Sequence, residues 1–456
     1  MSSMVAQDTS PIDYCHILKR HGYDAYFVGG YVRDSILGTP SDDVDITTNA
    51  HPDKVIEIFE ADGYRVLSVG KRFGTVIVVN SNAVQTEITT YRSEGRYDDK
   101  RHPSEVVFEK TLKADVSRRD FTINAIAQDP VTMEYVDYVG GLDDIASRII
   151  RCVGDPELRF KEDPLRMLRM VRFAGKLDMS IDIDTLHACT KLAQQTEFIS
   201  KERVRIELMK MMKSPGLTKA MDIMIYTGLL AIHLPELEAV RGVTQPQQYH
   251  KYTVFNHSIQ VAENIPLEKP LVRLSGIFHD LGKKEKNPEP PYFPGHEKVS
   301  EEITINIMTR LKFSKAEIKH VSKLVARHMD NKNYSNLRTD RSIRRFIRRA
   351  GSKEAITDLF LLQRADLIGT GYVNKEFLTE LDEFDKRVWK IYNNKPPIST
   401  KDLAINGHDL IKLGVPVGKH INTIKLRLTE EIIDFPGINN KEYLLHRAKE
   451  IYKEIK

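Results

Sequence analysis

The sequence predicts an α+β chain, an N-terminal mixed sheet followed by a long all-helical array. Three observations point there. β-branched and apolar runs of strand length crowd residues 25–92, apolar residues recur at helical spacing from about residue 142 onward, and no internal repeat or low-complexity tract interrupts either part. At 456 residues the chain exceeds one ordinary domain and is long enough to bury several cores.

Taken in order, AYFV reads as a first strand, a Gly-Gly turn follows, and YVRDSILG continues as a helix. A second strand lies near VDIT and a helix over PDKVIEIFEADG. TVIVV and VQTEITTY, β-branched and separated by NSN, form a hairpin. PLRMLRMVRFAGKL, ERVRIELMKMM and TKAMDIMIYTGLLAIHL then carry apolar residues at helical spacing. Pro and Gly cluster at 286–295 and again near 395–397, marking loops. Order is expected throughout except for the first ten or so residues and 93–104.

Only three cysteines occur, widely spaced, which excludes a disulfide framework or a four-Cys zinc site and fits a reducing cytoplasm. No apolar run approaches membrane-spanning length, and the N-terminus lacks a secretory pattern, so neither membrane insertion nor export is expected. The net charge of +4 is unevenly spread: residues 331–456 hold 24 Lys and Arg against 17 Asp and Glu, or +7, leaving 44 against 47, or −3, for residues 1–330. A basic back half suits polyanion binding, or is ordinary solvated surface.

Gly29 and Gly30 fall between a strand and a helix, where backbone amides can face a phosphate. Asp43 and Asp45 follow, two apart. On a strand that spacing puts both carboxylates on one face, where a divalent cation between them relieves their repulsion; the alternative is two solvated aspartates at a strand end. Glu87 lies in a β-branched strand, where a charge is costly unless paired or on the open face, and is the candidate third carboxylate. Mg²⁺ held this way, with substrate phosphates completing its shell, is the arrangement of two-metal nucleotidyl transfer. Arg118 and Arg119 add positive charge for a triphosphate, with Asp120 and Asn124 as hydrogen-bonding neighbours, or else form a locally bridged helix start.

GGYVRD, DVDITTNA, TEITTYR, GRYDDKRHP, RRDFTINAIA, VDYVGGLDDI, FKEDPLRMLRMVRFA and ERVRIEL, in that order, resemble the successive motifs of the class II CCA-adding enzymes, tRNA nucleotidyltransferases of the polymerase-beta-type superfamily. The match runs from about residue 25 to 215, with weaker similarity at INGHDLIKLGVPVG. The resemblance implies a catalytic trio of Asp43, Asp45 and Glu87, and a triphosphate-holding motif of Gly29, Gly30, Arg33 and Asp34. It further implies phosphate and ribose contacts from Arg118, Arg119, Asp120 and Asn124, and nucleotide binding by Asp163, Arg166, Arg169 and Arg172. Asp163 and Arg166 would present an acceptor and donors to the Watson–Crick edge of C or A. Their spacing of three on a helix is compatible with that task, and equally with a surface ion pair or a cap. In the family, a loop at the position of 93–103 is associated with switching from C to A addition.

His257, the adjacent pair His279 and Asp280, and the distant Asp366 resemble the ligand set of the HD phosphohydrolases. Imidazoles and carboxylates suit a transition metal or Mg²⁺, so Ni²⁺, Co²⁺ or Mn²⁺ is a candidate second metal here, and His296 and His328 are placed to complete a further position. The module's alternative reading is a silent helical domain. Arg344, Arg345 and Arg348, on a helix with Arg341 and Arg349, either follow RNA phosphates or pair with acids across an amphipathic helix. Lys412, Lys419, Lys425 and Arg427 resemble the family's tRNA-gripping tail.

The expected organisation is a nucleotidyltransferase head at 1–141, a helical neck and body at 142–250, an HD domain at 251–370 and a helical tail at 371–456. The expected activity is addition of CCA to tRNA from CTP and ATP with Mg²⁺, in the cytoplasm. Its rivals are poly(A) polymerase, an enzyme adding only CC or only A, and an HD phosphohydrolase with an inactive transferase head.

Overall fold

The computed structural model describes residues 10–39, 43–94, 106–248, 250–284, 293–330, 339–372 and 375–456. Residues 95–103 of the loop expected over 93–103, the first nine residues and most of the Pro/Gly cluster at 286–295 therefore fall outside the described residues. The chain divides into two compact units, Met1–Pro235 and Glu236–Lys456.

In the first unit the strands are β1 (Ala25–Val28), β2 (Asp45–Thr48), β3 (Arg65–Leu67), β4 (Thr75–Val79), β5 (Gln85–Thr90), β6 (Arg92–Glu94), β7 (Val106–Phe108), β8 (Ala127–Gln128) and β9 (Tyr135–Val136). Seven of them form one mixed sheet in the order β3-β4-β5-β2-β1-β8-β9, and β6 pairs with β7 separately. The expected hairpin is β4 and β5, antiparallel with Thr75 opposite Thr89. The parallel pair is β2 and β5, which places Asp45 directly beside Glu87. Val76, Val78 and Ile88 are buried while Glu87, on the alternate face of its strand, is exposed. That alternation is what a sheet covered on one face requires. The helix Pro52–Ala61 buries Val55, Ile58 and Phe59.

Beyond the sheet this unit is helical, as the apolar spacing predicts, apart from two-residue strands Ile149–Ile150 and Ser180–Ile181 that pair with each other. The run from Thr218 to Leu234 breaks at Gly228, whose φ of +78° separates the helix Leu217–Tyr226 from the helix Leu229–His233.

The second unit is all-helical among its described residues. One core is built from Val261, Val272, Leu324, Phe346 and Leu359 and extends to Leu381, Phe384 and Val388. A separate core joins Leu403, Leu410, Leu428, Leu444 and Ile451. The helix Lys375–Asn393, expected in the tail, thus belongs with the preceding core, because its apolar face packs there. All three cysteines are buried free thiols. Among the described residues no helix is long and apolar enough to cross a membrane.

Candidate functional site

In the first unit an open cavity of about 430 Å³ is lined by Asp45, Glu87, Arg118, Arg119, Asp120, Asp163, Arg166, Arg169 and Arg203, among others. It is within the usual size range of small-molecule sites. Its acidic floor is set by strand register. Asp45 opens β2 and is flanked by Glu87, while Asp43, exposed, stands just before the strand rather than in it. Burial pushes the Asp45 carboxyl up to about 6, the charges of Asp43 and Glu87 add to this, and Arg119 opposes it. Three carboxylates crowded in this way are what a divalent cation relieves.

Gly29 meets a packing demand as well as a turn. Its φ is +77°, and a β-carbon there would lie 3.3 Å from Asp45 Oδ2 and 3.4 Å from Arg119 Nη1. Gly30 begins the short helix behind it.

The arginines line the same cavity. Arg118 donates through Nε and Nη2 to Asp115 Oδ1 at 3.0 and 2.7 Å, and Arg119 Nη2 lies 3.3 Å from Asp115 Oδ2. Asp115 is fully buried. Burial would raise its carboxyl, but the charges of Arg119 and Arg118 outweigh that and hold it below the ordinary value. This aspartate, which no sequence motif singled out, positions both arginines at the cavity. The signal available was its spacing, three and four residues before them, on one helical face.

The remaining expected contacts divide. Arg33 and Asp34 are buried and bonded to each other, Nε to Oδ1 at 2.8 Å, and Arg33 Nη1 donates to Asn124 Oδ1 at 2.5 Å. Asn124 donates on to Asp120 Oδ1 at 3.0 Å, whose other oxygen accepts from Arg169 Nε at 2.8 Å. Burial would raise the Asp120 carboxyl, yet Arg169 and these hydrogen bonds bring it down to about 2. Of this relay only Asp120 and Arg169 line the cavity; Arg33, Asp34 and Asn124 support them from behind. Arg172 is likewise buried, 2.6 Å from Glu207 and over the Phe173 ring, and does not line the cavity. Asp163 and Arg166 both reach the cavity but do not pair with one another. Arg166 Nη1 donates to Glu162 Oε2 at 2.8 Å, and Asp163 Oδ2 is 2.7 Å from Arg203 Nη2.

The second unit holds the other constellation. His257, the adjacent His279 and Asp280, His296, His328 and Asp366, all buried, come from five separate stretches of helix or helix end and converge. Each imidazole Nδ1 donates to a backbone carbonyl, of Gly369, Gly276, Phe293 and Val325 respectively, at 2.7 to 3.0 Å. With Nδ1 so engaged each ring turns Nε2 into the cluster, and in the neutral imidazole that atom carries the lone pair. The Nε2 atoms of His257 and His279 are 3.3 Å apart, and those of His296 and His328 are 3.2 Å apart. Asp280 lies between the pairs, Oδ2 being 3.2 Å from His279 and Oδ1 3.1 Å from His296. Lone pairs facing at these distances are the donor set of a cation, so these residues fit the metal centre that the HD resemblance implies. Lys283 Nζ donates to Asp280 Oδ2 and to Gln245 Oε1, both at 2.6 Å. Although burial would raise the Asp280 carboxyl, His279 and Lys283 hold it well below the ordinary range.

The expected RNA-binding arginines are engaged inside the protein. Arg344 donates to the Ile433 and Asp434 carbonyls at 2.6 and 3.1 Å, Arg345 to the Asp434 carboxylate at 3.0 Å, and Arg348 pairs with Glu430. The helix Asp340–Ala350 thus meets acids and helix-end carbonyls of Lys419–Asp434, with Arg345 and Arg348 still partly exposed.

Three family models match the chain: "Poly A polymerase head domain" over residues 25–151, "Probable RNA and SrmB- binding site of polymerase A" over 178–240, and "HD domain" over 248–369. A CCA-adding enzyme of Anoxybacillus flavithermus is 44% identical over 220 residues, 48% of this chain and 54% of that one. The chain thus spans about half the length of that relative. One of Ligilactobacillus salivarius is 32% identical over 447 residues, 96% of this chain and 95% of that one. Among solved structures, the Bacillus stearothermophilus CCA-adding enzyme in complex with CTP superposes with a TM-score of 0.73 at 27% identity, over 98% of this chain and 100% of that one. With ordered head motifs, a carboxylate-and-arginine cavity and a full-length relative in agreement, the chain belongs to the family of CCA-adding enzymes.

Proposed function

We propose that this chain adds C, C and A in turn to the 3′ end of tRNA, from CTP and ATP, releasing pyrophosphate at each step. The observation that carries the reading is one cavity lined together by Asp45, Glu87, Arg118, Arg119, Asp163 and Arg166. Asp43, Asp45 and Glu87 would hold Mg²⁺. When bound, such ions supply charge that activates the attacking hydroxyl and neutralises the leaving group. Arg118 and Arg119, braced by Asp115, bind and orient the triphosphate; Asp120 and Arg169 lie beside them for the sugar and phosphates. Asp163 and Arg166 read the base edge, their carboxylate accepting from the exocyclic amine that C and A share. Arg33, Asp34 and Asn124 keep Asp120 and Arg169 in place, and Arg172 is held by Glu207. The domain scheme is a head, an RNA-binding helical part, an HD domain and a tail, the first three supported by the family models. Replacing Asp43 by Ala abolishes every addition and leaves tRNA affinity largely unchanged; retained incorporation of labelled CTP contradicts the assignment.

The buried His and Asp cluster supports a second activity, hydrolysis of a phosphoester at an RNA end such as a 2′,3′-cyclic phosphate or a 2′-phosphate. His257, His279, Asp280 and Asp366 would hold Ni²⁺, Co²⁺ or Mn²⁺, with His296 and His328 on the other oxygen of Asp280 serving a further ion. Lys283 places a cation beside the centre for a phosphate. His279→Ala should lose both tightly bound transition metal, by elemental analysis, and metal-dependent phosphatase activity. Absence of both from the unaltered protein counts against the reading.

A further inference from the structure

Phe173 is one of the apolar positions that announce the helix Leu165–Leu177 in the sequence, and its side chain is buried. Its ring is met by three guanidiniums. The Cζ atoms of Arg172, Arg33 and Arg169 lie over it at 4.1, 5.0 and 5.3 Å from the centroid, all within the range of a cation–π contact. Phe121 adds a T-shaped contact at 5.9 Å. Each guanidinium also has a carboxylate of its own: Arg172 pairs with Glu207, Arg33 with Asp34 and Arg169 with Asp120. The three differ in freedom. The side chains of Arg33 and Arg172 are 4% and 9% exposed, whereas that of Arg169, which lines the cavity, is 30% exposed.

We propose that Phe173 is a positioning residue for nucleotide binding, acting by holding Arg169 at the cavity. The proposal rests on the nucleotidyltransferase reading given above, in which Arg169 serves the sugar and phosphates. Three like charges gathered at one ring repel each other. The negative face of the ring attracts them and, together with the paired carboxylates, offsets that repulsion. Residues 169 and 173 are four apart on one helix, so guanidinium and ring share a face. An aliphatic side chain in place of Phe fills the space without supplying the negative face. Arg33 and Arg172 are too enclosed to relieve the repulsion by moving, so Arg169 takes it up, swinging from Asp120 toward the open cavity. The guanidinium that meets the nucleotide is then out of place, while Asp45 and Glu87 at the metal end are undisturbed.

The test uses the full chain and tRNA lacking its 3′ CCA, with kcat and KM measured separately for CTP and ATP. Phe173→Leu should raise KM for both nucleotides roughly three- to tenfold while kcat falls by less than about twofold, and Phe173→Tyr, which keeps the ring, should recover most of the loss. A ring-fluorinated phenylalanine at this position, which keeps the shape but removes the negative face, should raise KM as Leu does. In an Arg169→Gln background Phe173→Leu should add no further rise, because the ring works through that guanidinium. KM within about twofold of the unaltered enzyme in the fluorinated variant overturns the proposal and leaves Phe173 a packing residue, however Phe173→Leu behaves. An undiminished rise in the Arg169→Gln background overturns it too. Failure of the unaltered enzyme to add C to this tRNA overturns the functional reading itself, a separate outcome visible before any variant is made.

Discussion

Asp45 combines burial with two neighbouring negative charges, and its carboxyl is raised to about 6 as a result. Between the ordinary value of 3.8 and about 6 the folded chain keeps a proton there that the unfolded chain has released. Ionisation therefore costs stability as pH rises through that window, and the cost is complete above it. A divalent ion must displace this proton, so apparent Mg²⁺ affinity at the head should be about fourfold weaker near pH 5.5 than near pH 7.5. The Mg²⁺-induced rise in Tm, titrated at both pH values, measures this, and identical titrations contradict it. Asp43, Asp45, Gly29 and the two arginines were legible because each sits in a short motif. Asp115 was not, since it is a buried brace outside every quoted motif.

Among the elements, the helix Leu165–Leu177 joins the site to its support, carrying Arg166 and Arg169 into the cavity and Arg172 to Glu207. Its placement depends on a backbone contact farther along. A β-carbon on Gly175 would lie 2.7 Å from the Gly216 carbonyl oxygen and 3.1 Å from Ala220 Cβ. Gly175→Ala should therefore destabilise the protein by about 1–3 kcal/mol in urea unfolding and raise KM for both nucleotides as Arg166 and Arg169 shift. An unchanged unfolding midpoint contradicts that packing role. Helical spacing announces such a helix, whereas the demand for Gly at 175 comes from a partner some forty residues on and is silent in local pattern. The same holds for the sheet. Its β-branched runs were readable, but the parallel pairing of β2 with β5, which brings Asp45 to Glu87, is a long-range fact.

Across the whole molecule, each compact unit carries its own centre, the carboxylate-and-arginine cavity of Met1–Pro235 and the His and Asp cluster of Glu236–Lys456. Within the +7 of residues 331–456, Arg341, Arg345 and Arg348 are largely offset by Asp434 and Glu430, so most of the excess positive charge is carried by other residues. Composition counts charges without revealing their partners. The order of motifs was the stronger guide, and the carboxylates, arginines and histidines it named converge into two centres. The central claim is sequential addition of C, C and A by the first of these. Incubating the full chain with tRNA lacking its 3′ CCA, and sizing the products after supply of CTP alone, ATP alone or both, tests it directly. The account predicts two added residues with CTP, no homopolymer with ATP, and three added residues with both; a lengthening ATP ladder or no extension at all contradicts it.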